Sequence, residues 1–145
     1  MMTLDNNSSR LRDYGLLVLR VVVGIVFCAH GYLKFFKMGI GGTTHFFTSV
    51  GVPLPTLAAW FAATAEMVGG AALILGILTL PFGLALTLDM MGAIFFAKRG
   101  GGLFAPKGFE LELTLLAASL AIALSGPGAF SLRHALGRGK SGVRS

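Results

Sequence analysis

The chain has 145 residues, of which 54% are hydrophobic and only 12% charged, and its mean hydropathy is +0.79. A soluble domain carries about 25% charged residues, so this composition excludes an ordinary water-soluble fold and indicates one compact membrane unit. The net charge of +6 does not indicate nucleic acid, because the basic residues gather at the ends and in the connections, where membrane topology and anionic lipid account for them.

In chain order, residues 1–13 are polar, with Arg10 and Arg12, and are expected to be disordered. The first helix, 14–36, is mostly apolar yet holds Arg20, His30 and Lys34. Gly39 to Gly42 ends it. Thr43 and Thr44 are placed to cap a short amphipathic segment, HFFTSVG, whose Phe46 and Phe47 suit the membrane interface. Pro53-Leu54-Pro55 opens the second helix, 53–78, in which Glu66 is the only charge. Its small residues (Ala58, Ala62, Ala65, Gly69, Gly70, Ala72, Gly76) permit close helix–helix approach. Pro81 suits the first turn of the third helix, 82–97, which carries Asp89. KRGGGLFAPKG reads as a loop. The fourth helix, 109–125, stops before Gly126-Pro127-Gly128, and the tail 127–145 is basic.

The expected fold is therefore an all-α integral membrane protein: an antiparallel four-helix bundle over 14–126 with an interfacial segment between the first two helices. About twenty helical residues cross the hydrocarbon; the first two helices meet this, and the last two lie at the short end. Four crossings put both termini on one side. Arg10, Arg12, Arg133, Arg138, Lys140 and Arg144 lie there, against Lys34, Lys37, Lys98, Arg99 and Lys107 opposite. That bias favours cytoplasmic termini in a multi-pass plasma-membrane protein.

Charges inside a bilayer are costly and mark functional sites by default. At 1.5 Å per residue, Arg20 lies about 9 Å in from the terminal side and Asp89 about 10 Å, which predicts an Arg20–Asp89 pair. Glu66 falls near the midplane. His30 and Lys34 are one helical turn apart, whereas Glu110 and Glu112 point to nearly opposite sides, so only one faces the interior. His30 and Glu66 are the expected proton-transferring, catalytic groups. Arg20, Lys34, Asp89 and Glu110 are the expected substrate-binding groups. The alternative is that such pairs only fix helix register. No metal is expected, since His30 has no second histidine at helical spacing, and the same lack excludes a bis-histidine haem. Cys28 is the only cysteine, which excludes a Cys-x-x-Cys pair and an iron–sulfur cluster.

Four stretches in order, LRVVVGIVFCAHGYLKFF, FFTSVGVPLP, AEMVGGAALILGILT and GFELELTLLAASLAIALSGPGAFSL, resemble the DoxX family of small bacterial membrane proteins. The resemblance covers about residues 15 to 132 and places Arg20, His30, Gly31, Lys34, Glu66, Gly69, Gly70 and Glu110 at the family's shared positions. Many relatives carry a histidine near the end of the third helix, where this chain has Ala97 and Lys98. The resemblance implies a membrane subunit of a quinone-linked oxidoreductase or redox-stress system, in the bacterial inner membrane, with quinone as substrate. Because the chain encodes no redox centre, a protein partner or a second copy is implied. A membrane scaffold recruiting a soluble enzyme and a small proton-coupled permease are the competing readings.

Overall fold

The computed structural model describes residues 2–104 and 106–138; among them the ordered elements are all helical, with no strand. The first helix, α1 (Met2–Tyr32), continues without a break into a π-helical turn, Leu33–Lys37. It begins at Met2 rather than Tyr14, so the polar segment expected to be disordered is helical. No glycine or proline interrupts it before Gly15. Where it reaches the bundle it is anchored: Asp13 Oδ1 accepts the Ala129 N–H at 3.2 Å and the Tyr14 ring packs 4.8 Å from that of Phe130.

Gly39, with φ +70°, turns the chain into α2 (Gly39–Ser49). This helix starts earlier than the expected cap at Thr43. Thr43 lies inside it, its hydroxyl donating back to the Gly39 carbonyl at 3.0 Å. Then follow α3 (Pro55–Thr64), a π turn at Ala65–Gly69, and α4 (Gly70–Leu75), one continuous rod opened by proline at its first turn. The rod α5 (Thr79–Gly92) ends in a third π turn, Ala93–Ala97. It begins three residues before the expected start, with Pro81 still in its first turn, where a missing N–H costs nothing. α6 (Glu110–Ser125) and α7 (Leu132–Arg138) complete the described chain, the latter within the expected basic tail.

Among the described residues three stretches are long and apolar enough to cross a membrane: Asn7–Lys37, Pro55–Leu75 and Thr79–Ala97. α6 has 16 residues, about 24 Å of rise, short of the roughly 30 Å hydrocarbon layer. The outward residues are those that lipid would solvate. Val18, Val22 and Ile25 line one exposed stripe of α1, and Leu80, Leu84, Leu88, Met91 and Phe95 one of α5.

Lipid tails are as apolar as leucine, so packing between helices must come from close backbone approach. α1 crosses α4 at Gly24 and Gly70, where a Cβ on Gly24 would stand 2.6 Å from the Gly70 carbonyl oxygen. One further contact down the same seam, a Cβ on Gly31 would lie 2.6 Å from the Met67 nitrogen. Gly69 instead receives Leu86 of α5. Between α5 and α6, Gly83 admits Ala123, and the Thr87 and Ser119 hydroxyls meet at 3.2 Å. Phe27, Leu73, Leu86 and Ile122 fill the centre with no exposed surface.

Candidate functional site

The intramembrane charges separate into two centres. The first is Arg20, 1% exposed, and it is not paired with Asp89. Its Nε donates to the Leu73 carbonyl at 3.0 Å, and Nη2 donates to the carbonyls of Ile74 (3.3 Å) and Phe130 (2.9 Å). Nη1 donates to the Pro127 carbonyl. Leu73 and Ile74 belong to the last turn of α4, the carbonyl end of the helix, which favours a cation. Arg20 thus ties the end of α4 to the segment after α6. The expected pairing with Asp89 fails because Arg20 is engaged by carbonyls at the end of α4, whereas Asp89, about 15 Å along α5 from Thr79, lies beside Glu66 in the middle of the neighbouring rod.

The second centre lies around Glu66. Lys34 Nζ sits 2.6 Å from Glu66 Oε2, with the two side chains 19% and 2% exposed. Asp89 lies beside Glu66, its Oδ2 buried with no hydrogen-bond partner among the described residues. Carboxylates only accept, so a hydrogen bond between these two requires one shared proton. With that proton the Lys34–Glu66–Asp89 group is electrically neutral, the state that a buried cluster favours. His30 completes the group: its Nδ1 lies 2.9 Å from the Val26 carbonyl. A carbonyl cannot donate, so Nδ1 carries the proton and Nε2 is the acceptor in the neutral ring.

These four residues line one cavity of about 440 Å³. Its walls are mainly apolar and aromatic: Phe27 from α1, Phe46 and Phe47 from α2, Phe61 from α3, and Phe96 from the third π turn. Each π turn contributes to it, Lys34 in the first, Glu66 in the second, and Ala93, Phe96 and Ala97 in the third. A π turn widens the helix locally and re-aims the residues on it, and such turns recur at functional sites. At the far rim Lys98 Nζ lies 3.4 Å from Glu112 Oε1, joining the end of that turn to the start of α6.

Of the expected site residues, His30, Lys34, Glu66 and Asp89 come together, and two do not. Arg20 belongs to the separate centre near α7. Glu110 does not line the cavity; Glu112 does, because residues two apart on a helix differ by about 200°. Lys98 and the aromatic residues of α2 went unforeseen, the first assigned to a loop and the second to the interface. Among the described residues no three metal-ligating side chains cluster, and the polar groups of this centre are the Lys34 ammonium, the Glu66 and Asp89 carboxyls and the His30 imidazole.

The DoxX family model matches residues 15–99. CatD of Bacillus subtilis, which bears the name "Putative oxidoreductase CatD", is 36% identical over 130 residues, covering 88% of this chain and 91% of its own. The Escherichia coli inner membrane protein YphA is 30% identical over 138 residues, covering 87% of this chain and 97% of its own. A second E. coli inner membrane protein, YqjF, is 30% identical over 137 residues, covering 89% and 97%. No solved structure matches the chain significantly.

Proposed function

The chain belongs to the DoxX family of membrane proteins, and on that premise we propose that it is the bacterial inner-membrane subunit of a quinone-linked redox system, its quinone ring seated in the cavity at Lys34, Glu66 and Asp89. One observation carries this reading: a buried Lys34–Glu66 ion pair, with a second carboxyl beside it, opens onto an aromatic cavity between spanning helices. A quinone is a flat apolar ring with two carbonyl oxygens, and the bilayer is where it dissolves. Aromatic side chains suit its faces. The Lys34 ammonium has hydrogens beyond the one directed at Glu66 with which to hold a carbonyl oxygen.

Reduction of a quinone to a quinol consumes two electrons and two protons. The Glu66–Asp89 pair and His30 supply groups able to pass protons to the ring oxygens. The electrons come from a partner oxidoreductase, since the chain has a single cysteine and its spanning helices hold no histidine besides His30 with which to bind a redox centre. The oxidoreductase name of CatD and the inner-membrane name of YphA support this assignment. In the same reading α6 crosses the bilayer as a fourth helix, flanking residues making up its length, and both termini face the cytoplasm.

The test is extraction of the natively purified protein followed by mass spectrometry of its bound small molecules. Quinone should co-purify at near one per chain and fall at least tenfold in Glu66→Gln and Lys34→Met, the loss expected when about 1.4 kcal/mol of binding is removed. An extract without quinone, or variants that retain it fully, would remove the basis of the proposal.

A further inference from the structure

Beyond the aromatic cavity lies a second chamber, of about 480 Å³, that shares Phe46, Ala97 and Lys98 with it. Its character is the reverse. Three of its lining side chains are cationic, Lys98, Arg99 and Lys107, and none is acidic. Lys98 is occupied with Glu112. The Arg99 guanidinium carbon lies over the Phe95 ring, 4.7 Å from its centroid. Among the described residues neither Arg99 nor Lys107 is paired with a carboxylate.

The position of this chamber selects its ligand. The apolar span Thr79–Ala97 ends at the chamber's edge, so Lys98 and Arg99 are the first residues past the hydrocarbon, at the depth of the lipid headgroups. Cations without a carboxylate partner in a recess at that depth attract anions. Arginine presents a planar fork that matches phosphate oxygens. We propose that this chamber is a binding site for a phosphate group, which an anionic lipid headgroup or free phosphate can supply. The site is independent of the quinone reading, since it uses neither Lys34, Glu66 nor Asp89.

The test is native mass spectrometry of the full chain in neutral detergent, titrated separately with phosphatidylglycerol, phosphatidylcholine and inorganic phosphate. Phosphatidylglycerol should be retained over phosphatidylcholine. Arg99→Gln combined with Lys107→Gln should weaken its retention roughly 25-fold, about fivefold per cation. Lys37→Gln, which removes a cation outside the chamber, should leave retention within about twofold, since a single distant surface charge is screened. Displacement of the lipid by inorganic phosphate at low salt supports the site and shows that it accepts phosphate from either source. Binding of phosphate without lipid supports the site with the soluble ion as its ligand. Equal retention of the two lipids without phosphate binding overturns the proposal. So does retention by the unmodified protein that is indifferent to salt, a readout that does not depend on the variants folding.

Discussion

Replacing Arg20 with methionine keeps the length of the aliphatic stem and removes four hydrogen bonds, to the carbonyls of Leu73, Ile74, Pro127 and Phe130. The carbonyl of Leu73 keeps a donor, the Gly76 N–H at 3.2 Å, so the loss falls mainly on the segment after α6. Buried polar contacts in membrane proteins are worth about 0.6–1 kcal/mol each. Four of them predict a loss of about 2.5–4 kcal/mol, measured by denaturing the protein in mixed micelles of increasing SDS content and following helicity by circular dichroism. The geometry makes a sharper prediction in combination. Arg20 and Asp89 occupy different layers and share no partner, so Arg20→Met and Asp89→Asn should add within about 0.5 kcal/mol. A coupling clearly above that value would mean the two charges do interact, and a loss below about 1 kcal/mol would show that Arg20 does not hold the end of α4.

Lys34→Met strands Glu66, which is 2% exposed, and should cost about 3 kcal/mol in the same assay; adding Glu66→Gln should recover part of that loss, and a double variant weaker than the single would contradict the pair. Gly70→Ala places a Cβ 2.7 Å from the Gly24 carbonyl oxygen and 2.9 Å from the Cys28 nitrogen. It should destabilise by about 1–3 kcal/mol, while Gly15→Ala, with nothing within 4 Å, should be neutral or slightly stabilising. Gly76→Ala combines a left-handed φ of +71° with a Cβ 2.5 Å from Ser131 Cβ and 2.7 Å from Arg20 Nη2; about 1–2 kcal/mol comes from the backbone alone, and only the part of the loss due to Arg20 should disappear in an Arg20→Met background, as a thermal-shift comparison of the four proteins will show.

Much of the helical layout was legible because it rests on local rules. Apolar runs of spanning length, Pro55 and Pro81 in first turns, and the Gly126-Pro127-Gly128 stop all act within a few residues. The π turns carried no such signal. They arise where helices already packed against one another make the extra residue worthwhile, and they set the angular position of Lys34 and Glu66 and of the wall that Phe96 completes. α5 starts three residues before the position that its composition suggests, and Asp89 lies beside Glu66 rather than Arg20.

By itself the sequence determined that the chain is helical and membrane-embedded, that Arg20, His30, Lys34, Glu66, Asp89 and Glu110 are the polar groups of interest, and that the glycines of α1 and α4 permit close crossing. Periodicity, length and the cost of burying charge are properties of a segment, and each can be read one helix at a time. Only the tertiary structure decided the partners. A side chain's depth follows from counting residues, but its partner also depends on the rotation of each helix about its axis. That rotation is fixed by Gly24 meeting Gly70, Gly83 meeting Ala123 and Leu86 meeting Gly69. Those contacts turn Arg20 towards backbone carbonyls, Lys34 towards Glu66, and Glu112 rather than Glu110 into the cavity.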